Sequence, residues 1–366
     1  MSFSLTGDIM DLFDFLPQEE GAKYKPIKST DWKWTMTNDY PKEKNGLKVF
    51  SCFACGGGST MGYKLAGCDV IGCNEIDPRM NKVYIENHNP KYNYLQDIRE
   101  FNKREDLPEE LYNLDVLDGS PPCTPFSMAG DREESWGVKK KFREGQVGQT
   151  LDDLAFVFIE TVAKLRPKVM IMENVEGLIR GEAWAYVQKI YKQLNDIGYK
   201  VKHWLCKGEN MGVPQTRHRV FFIATRLDFD FDKVDMTFNY APIIYGEVKT
   251  PHEKIASGKM SAAIKQRRKG EGISDVMQRL YGKVSGITHR IAQEAEVYPT
   301  QTAGHGDIWT TSGNHPSDED VLHCQTFPED YKLGKEKSEY ICGMSVPPIM
   351  IKRIVTRLIQ SGIFRG

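Results

Sequence analysis

The chain has 366 residues, 49 Lys+Arg against 50 Asp+Glu, and a formal net charge of −1. Its 40% hydrophobic and 27% charged residues are those of an ordinary folded protein, which excludes a disordered, collagenous or low-complexity chain, and no apolar run nears the ~18 residues that span a bilayer. Eight cysteines in a chain this long fit reduced thiols and a cytoplasmic location better than a disulfide scaffold, and the start shows no basic-then-apolar leader. At roughly 150 residues per domain the length suggests about two domains. A charge near zero speaks, at first, against a nucleic-acid partner.

Residues 1–46 stand apart as an N-terminal extension. Ile9, Leu12, Phe13 and Leu16 fall at helical spacing, which predicts a short helix over 8–16 that ends at Pro17, followed by an irregular arm. From Leu47 a rhythm begins. Strand-like runs at 47–53, 69–75, 113–118, 168–173 and 219–225 alternate with helical patterns at 60–67, 78–87, 151–165 and 183–197. This alternation predicts an α/β fold with a Rossmann-like, mostly parallel sheet covered on both faces, over a first domain at 47–238. Ligands bind such sheets at the carboxyl ends of the strands.

After Phe238 the rhythm stops. Residues 249–290 carry ten Lys/Arg against three Asp/Glu, a local charge of +7 that leaves −8 for the rest. The composition shift marks a second, smaller domain at 239–310, and it reverses the first impression left by the net charge. Residues 311–366 end in a helical pattern, with Ile349, Ile351, Ile354, Val355, Leu358 and Ile359 mostly on one face.

Four places carry candidate chemistry. The turn Phe53-Ala54-Cys55-Gly56-Gly57-Gly58 lies between a strand and a helix, where glycines let a ligand approach the backbone. Glu75 comes 18 residues after Gly57, close to the ~20-residue offset of an acid that grips a ribose hydroxyl. Asp97 falls near the expected end of a third strand. Together these imply an adenosine-type cofactor; without a GxGxxG spacing, a dinucleotide is disfavoured. Cys52 and Cys55 have no partner pair at zinc-ligand spacing, so no metal is expected there. The second place is Gly119-Ser120-Pro121-Pro122-Cys123-Thr124-Pro125, where prolines hold a cysteine in a rigid loop after a strand, which suits a nucleophile. Third, Glu173 ends the apolar run VMIM, where partial desolvation suits a proton donor. Fourth, Gln215, Arg217 and Arg219 fall on one side of an extended segment and suit an anionic or carbonyl-rich substrate.

Taken in order, these residues resemble the cytosine carbon-5 DNA methyltransferase family, from Leu47 to the end. The blocks that carry the likeness are GSPPCTPFS (119–127), ENVEGL (173–178), GVPQTRHR (212–219), QTFPEDY (325–331) and ICGMSVPP (341–348). The resemblance implies the methyltransferase version of the Rossmann-like fold, S-adenosylmethionine as methyl donor, and a flipped-out cytosine in duplex DNA as substrate. It implies Cys123 as the nucleophile toward carbon 6, Glu173 as proton donor to ring nitrogen 3, and Arg219 with Arg217 on the carbonyl oxygen and nearby phosphate. The cofactor would meet Phe53, Gly57, Gly58, Glu75, Ile76, Asp97, Ile98, Pro122, Met344 and Val346. DNA would meet Gln215, the loop cations Arg132, Lys139 and Lys140, Arg267 and Arg268 in the +7 segment, and Thr300 and Thr302. The implied molecule is a monomer with no metal, paired in some systems with a restriction endonuclease. Ser51 and Cys55 stand where the family has Asp and Gly, Met344 where it has Asn, and Asp318 near where it has Arg.

Overall fold

In a computed structural model of the chain, the described residues are 32–122, 154–286, 288–304 and 307–365. The expected helix at 8–16 therefore lies outside the described residues. After a short turn of helix, α1 (Met36–Asp39), seven strands form one sheet: β1 (Lys48–Cys52), β2 (Asp69–Glu75), β3 (Tyr92–Leu95), β4 (Val116–Gly119), β5 (Val169–Val175), β6 (Lys200–Lys207) and β7 (His218–Thr225). Their order is β3-β2-β1-β4-β5-β7-β6. The five strands from β3 to β5 are parallel, and β7 runs antiparallel to both β5 and β6. Mostly parallel is thus the observed architecture.

The strands alternate their side chains between two apolar layers. Val49, Val116, Ile171 and Phe221 face one layer together with helices α2 (Gly58–Leu65), α3 (Pro78–His88) and, from the chain's end, residues 348–361. Phe50, Leu117, Met170, Met172 and Phe222 face the other, against α4 (Ile98–Lys103), α5 (Leu154–Leu165) and α6 (Trp184–Asp196). Sequence signals set the helix ends. Asp77 caps α3 by accepting from the Arg79 and Met80 amides, Pro78 opens it, and Asn89 closes it in the left-handed region.

Residues beyond the sheet form short elements: α7 (Tyr245–Val248), β8 (Glu253–Lys254), α8 (Lys259–Lys265), α9 (Ile273–Tyr281), β9 (Arg290–Ala292), β10 (Ile308–Thr310) and β11 (His315–Pro316). Ala263, Ile264, Ile273, Val276, Met277 and Trp309 form an apolar cluster of their own there. The chain then returns through α10 (Asp318–Cys324), α11 (Ser338–Met344) and α12 (Pro348–Ser361). Val321, Ile341 and the Ile351-Ile354-Val355-Leu358 face of α12 join the first core layer. No helix among the described residues is long and apolar enough to cross a membrane.

Candidate active site

Strand order reverses beside β1, which has β2 on one side and β4 on the other. A crevice outside the carboxyl ends is expected at such a point, and a cleft of about 420 Å³ lies there. Phe53, Glu75, Ile76, Gln96 and Ile98 line one end; Pro121, Pro122, Glu173, Arg217 and Arg219 line the other; Thr302 and Met344 close the side.

The turn after β1 is unusual in its backbone. Phe53, Cys55 and Gly57 all have positive φ, at 56°, 45° and 85°, and the first two carry a side chain in a region that disfavours one. Cys55 thus holds a backbone shape that glycine adopts freely. A Cβ on Gly57 would strike the His88 ring, and one on Gly58 the Val346 carbonyl. These two glycines therefore admit the protein's own parts, and it is Phe53 and Cys55 that line the cleft. Burial pushes the Cys55 thiol up to about 12, and Cys52 and Cys55 are both buried and free; among the described residues no group of His, Cys, Asp and Glu could hold a metal ion.

Glu75 sits buried at the end of β2 and accepts from the Cys55 amide at 2.7 Å and the Ile76 and Asp77 amides at 2.8 Å each. Burial raises its pKa and those N–H groups oppose the rise. Asp97 behaves differently. It caps α4 by accepting from the Arg99 amide at 2.8 Å and pairs with the Arg99 guanidinium at 3.4 Å, while its neighbours Gln96 and Ile98 line the cleft. Gln96 accepts at Oε1 from Arg104 at 3.4 Å, which turns its Nε2 the other way; that Nε2 is buried and has no partner.

At the other end of the cleft, Arg219 Nε pairs with Glu173 Oε1 at 2.7 Å. Asn174 donates to the Pro121 carbonyl at 3.2 Å and so fixes the proline loop. Cys123, with Arg132, Lys139 and Lys140, lies outside the described residues. Arg217 has both terminal nitrogens engaged elsewhere: Nη1 donates to the Gln301 carbonyl and Nη2 to the Gly343 carbonyl, each at 3.0 Å, while its Nε is buried without a partner. Burial lowers its pKa to about 9. It staples β7 to the two late segments that wall the cleft.

Gln215 departs from its expected place on DNA. It is fully buried, donating to Gln325 Oε1 at 2.8 Å and the Cys324 carbonyl at 3.2 Å, and accepting from the Gln301 amide at 3.0 Å. Alternation along an extended segment explains the sidedness of 215, 217 and 219 but not which side is buried. Val346 is buried against Gly58, and Thr300 donates to the Thr216 carbonyl. Arg267 donates to the Glu271 carbonyl at 2.8 Å and to Gln293 at 3.3 Å, whereas Arg268 is exposed.

Sequence reasoning passed over Asp118. This carboxyl is 1% exposed and faces Ser51 across the β1–β4 register, accepting from Ser51 Oγ at 2.7 Å and Tyr63 Oη at 3.1 Å. Where the resemblance expects an acid on β1, this chain has Ser51 on β1 and the acid opposite it on β4. Burial pushes Asp118 up to about 7. The pairing of positions 51 and 118 became visible only with the register.

A parallel sheet ending in an antiparallel strand pair, with an acid-and-arginine cleft at the carboxyl ends, defines an α/β protein of the methyltransferase class. A model of the C-5 cytosine-specific DNA methylases matches residues 47–360, and the chain belongs to that family. The Type II methyltransferase M.NgoPII of Neisseria gonorrhoeae is 31% identical over 196 residues, 53% of this chain and 52% of that protein, so the chain spans about half the length of that relative. The Type II methyltransferase M.Bsp6I of Bacillus sp. (strain RFL6) is 25% identical over 342 residues, 86% of this chain and 99% of that one. Among solved structures, the Entamoeba histolytica methyltransferase EhMeth superposes with a TM-score of 0.58 at 14% identity, over 87% of this chain and 99% of its own; that likeness is one of fold.

Proposed function

We propose that the protein transfers a methyl group from S-adenosylmethionine to carbon 5 of a flipped-out cytosine in a specific duplex DNA site. The observation that carries this reading is the Arg219–Glu173 pair at 2.7 Å, set beside the Pro121-Pro122 loop that leads into Cys123 and across one cleft from Glu75.

The residues fit the cofactor. Glu75 Oε2 has a single donor, the Cys55 amide, which leaves acceptor capacity for a ribose hydroxyl. Phe53, Ile76 and Ile98 give apolar walls for a base, and Gln96 Nε2 is a buried donor still lacking an acceptor. When bound, S-adenosylmethionine supplies an electrophilic methyl group. The chain's own residues do the rest. The Cys123 thiolate attacks carbon 6 of the ring while Glu173 donates a proton at nitrogen 3, which makes carbon 5 electron-rich. Arg219 holds the carbonyl oxygen and orients Glu173; Arg217 keeps the cleft walls together. Once carbon 5 carries the methyl group, loss of its proton to a base expels the thiolate, and return of the nitrogen 3 proton to Glu173 restores the neutral ring.

In this reading residues 47–238 and 311–366 form the catalytic domain, and 239–310, with its +7 segment and separate apolar cluster, reads DNA. Exposed Arg268 supplies phosphate contact there. The Type II names of the relatives support a modification role beside a restriction endonuclease, in the cytoplasm of a bacterial cell. The test is expression in a bacterium without cytosine methylation, followed by genome-wide mapping of 5-methylcytosine. One recurrent motif is the expected outcome; an unmethylated genome from folded protein refutes the reading.

A further inference from the structure

His218 stands between Arg217 and Arg219 on β7. Those two arginines line the cleft, and alternation along a strand turns the residue between them to the opposite side. There its ring is held at both nitrogens: Nδ1 lies 3.2 Å from Glu176 Oε2 and Nε2 lies 2.7 Å from Glu209 Oε1. Glu176 begins the turn directly after β5, three residues past Glu173. Glu209 sits in the turn Gly208–Met211 after β6. A carboxylate only accepts, and a neutral imidazole donates from one nitrogen. Two acceptors at the two nitrogens therefore require the doubly protonated, cationic ring.

We propose that His218 is a positioning residue: its imidazolium ties the start of β7 to the turn after β5, and thereby holds Arg219 against Glu173. The proposal rests on the cytosine-methylation reading of that pair. The groups facing the ring are Glu176, itself paired with Arg180, on the β5 side, and Glu209 with the register partner Lys207 on the β6 side. Hydrogen bonding to Glu209, and then to Glu176, raises the ring's pKa from its ordinary 6.5 against the opposing effect of burial. The tie is therefore complete at low pH and is lost as pH rises through the raised value. On deprotonation the ring keeps one donor. The shorter Glu209 contact holds it, and the longer Glu176 contact becomes a lone pair facing a carboxylate. Glu209 Oε2 is buried without a partner, so that side has little freedom to compensate.

The test is the pH dependence of single-turnover methyl transfer to unmethylated bacterial DNA by the full chain, His218→Gln and His218→Lys. The expected wild-type rate falls on the alkaline side. Formation of the Cys123 thiolate moves the rate the opposite way, so the two are separable in sign. His218→Gln is expected to run roughly 10-fold slower at neutral pH and without the part of that fall that belongs to His218. His218→Lys, a cation to higher pH, is expected to recover most of the rate and shift the fall upward. Affinity for S-adenosylhomocysteine, measured by calorimetry, is expected to stay within about 2-fold in all three. A wild-type rate for His218→Gln, or an alkaline fall at one unchanged pH in all three proteins, overturns the proposal. An NMR titration of the His218 ring in the full chain decides the matter without turnover: proton loss at or below the ordinary imidazole value refutes the tie. If the wild type transfers no methyl at all, it is the activity reading that fails, and the titration still judges His218.

Discussion

Asp118→Asn is expected to stabilise the protein at neutral and alkaline pH and not in acid. Asp118 is buried, and its pKa rises from an ordinary 3.8 to about 7. The unfolded chain releases this proton from about pH 4, whereas the folded chain keeps it to about pH 7, so the folded state binds more protons between those limits. Its contribution to stability therefore falls across that window and is level above it. About three pKa steps at about 1.36 kcal/mol each give a ceiling near 4 kcal/mol. An asparagine carries no such penalty. The hydroxyls of Ser51 and Tyr63, which now donate to the carboxylate, can each rotate to donate or accept, so the cost of altered hydrogen bonding is about 1 kcal/mol. The net gain is about 3 kcal/mol, or roughly 4 °C in Tm for a chain of this length. The assay is thermal melting of both proteins from about pH 4.5 to about 8.5. The variant should melt slightly lower in acid and higher above pH 7, with the curves crossing between. Parallel curves, or a variant less stable at every pH, would refute the argument that this carboxylate is buried at a cost.

Three further outcomes follow from the site. Cys123→Ala should abolish methyl transfer while duplex binding in a gel-shift assay persists; measurable turnover would remove Cys123 as nucleophile. Gln96→Leu should weaken S-adenosylhomocysteine binding by roughly 3- to 10-fold with little loss of Tm in the ligand-free protein, because Nε2 has no partner to lose and Oε1 gives up only the 3.4 Å contact from Arg104; an unchanged affinity by calorimetry would contradict this. Charge reversal at exposed Arg268 should lower DNA affinity and reduce the slope of log K against log salt by about 1; the same slope in both proteins would take this residue off the interface.

Strands β1, β2, β4 and β5 were readable because they are buried on both faces and appear as largely apolar runs, as in VMIM before Glu173; β3, a parallel edge strand with no buried residue, gave no such run. β6 was missed for the converse reason. It is an edge strand, its sequence KVKHWLCK mixes charge with apolar groups, and only His203 and Cys206 within it are buried. Glu173, Arg219 and Pro122 were legible as neighbours, and line one cleft, because a parallel sheet gathers its strand ends, where linear order is informative. Gln215 and Arg217 show the limit. Period-2 spacing puts them on one side with Arg219, but whether an arginine fork meets a substrate or two backbone carbonyls depends on segments 84 and 126 residues away in sequence. Asp118 and Ser51, 67 residues apart, likewise meet only through strand register. Charge counting located the basic segment, yet not that Arg267 is occupied and Arg268 open.

The contact of Gly58 with the Val346 carbonyl, and of Gly62 with Pro348 and Ile351 on α12, has a meaning for synthesis on the ribosome. The glycine turn is among the first parts of the described chain to be made, and the wall it leans on is among the last. Strands β1 to β5 can pair as they emerge and His88 can back Gly57, but Gly58 and Gly62 lack their support until residues 346–351 arrive some 290 positions later. Completion of this side of the cleft therefore waits on residues far along the chain. A chain stopped before residue 346 would lack the wall on which Gly58 and Gly62 pack.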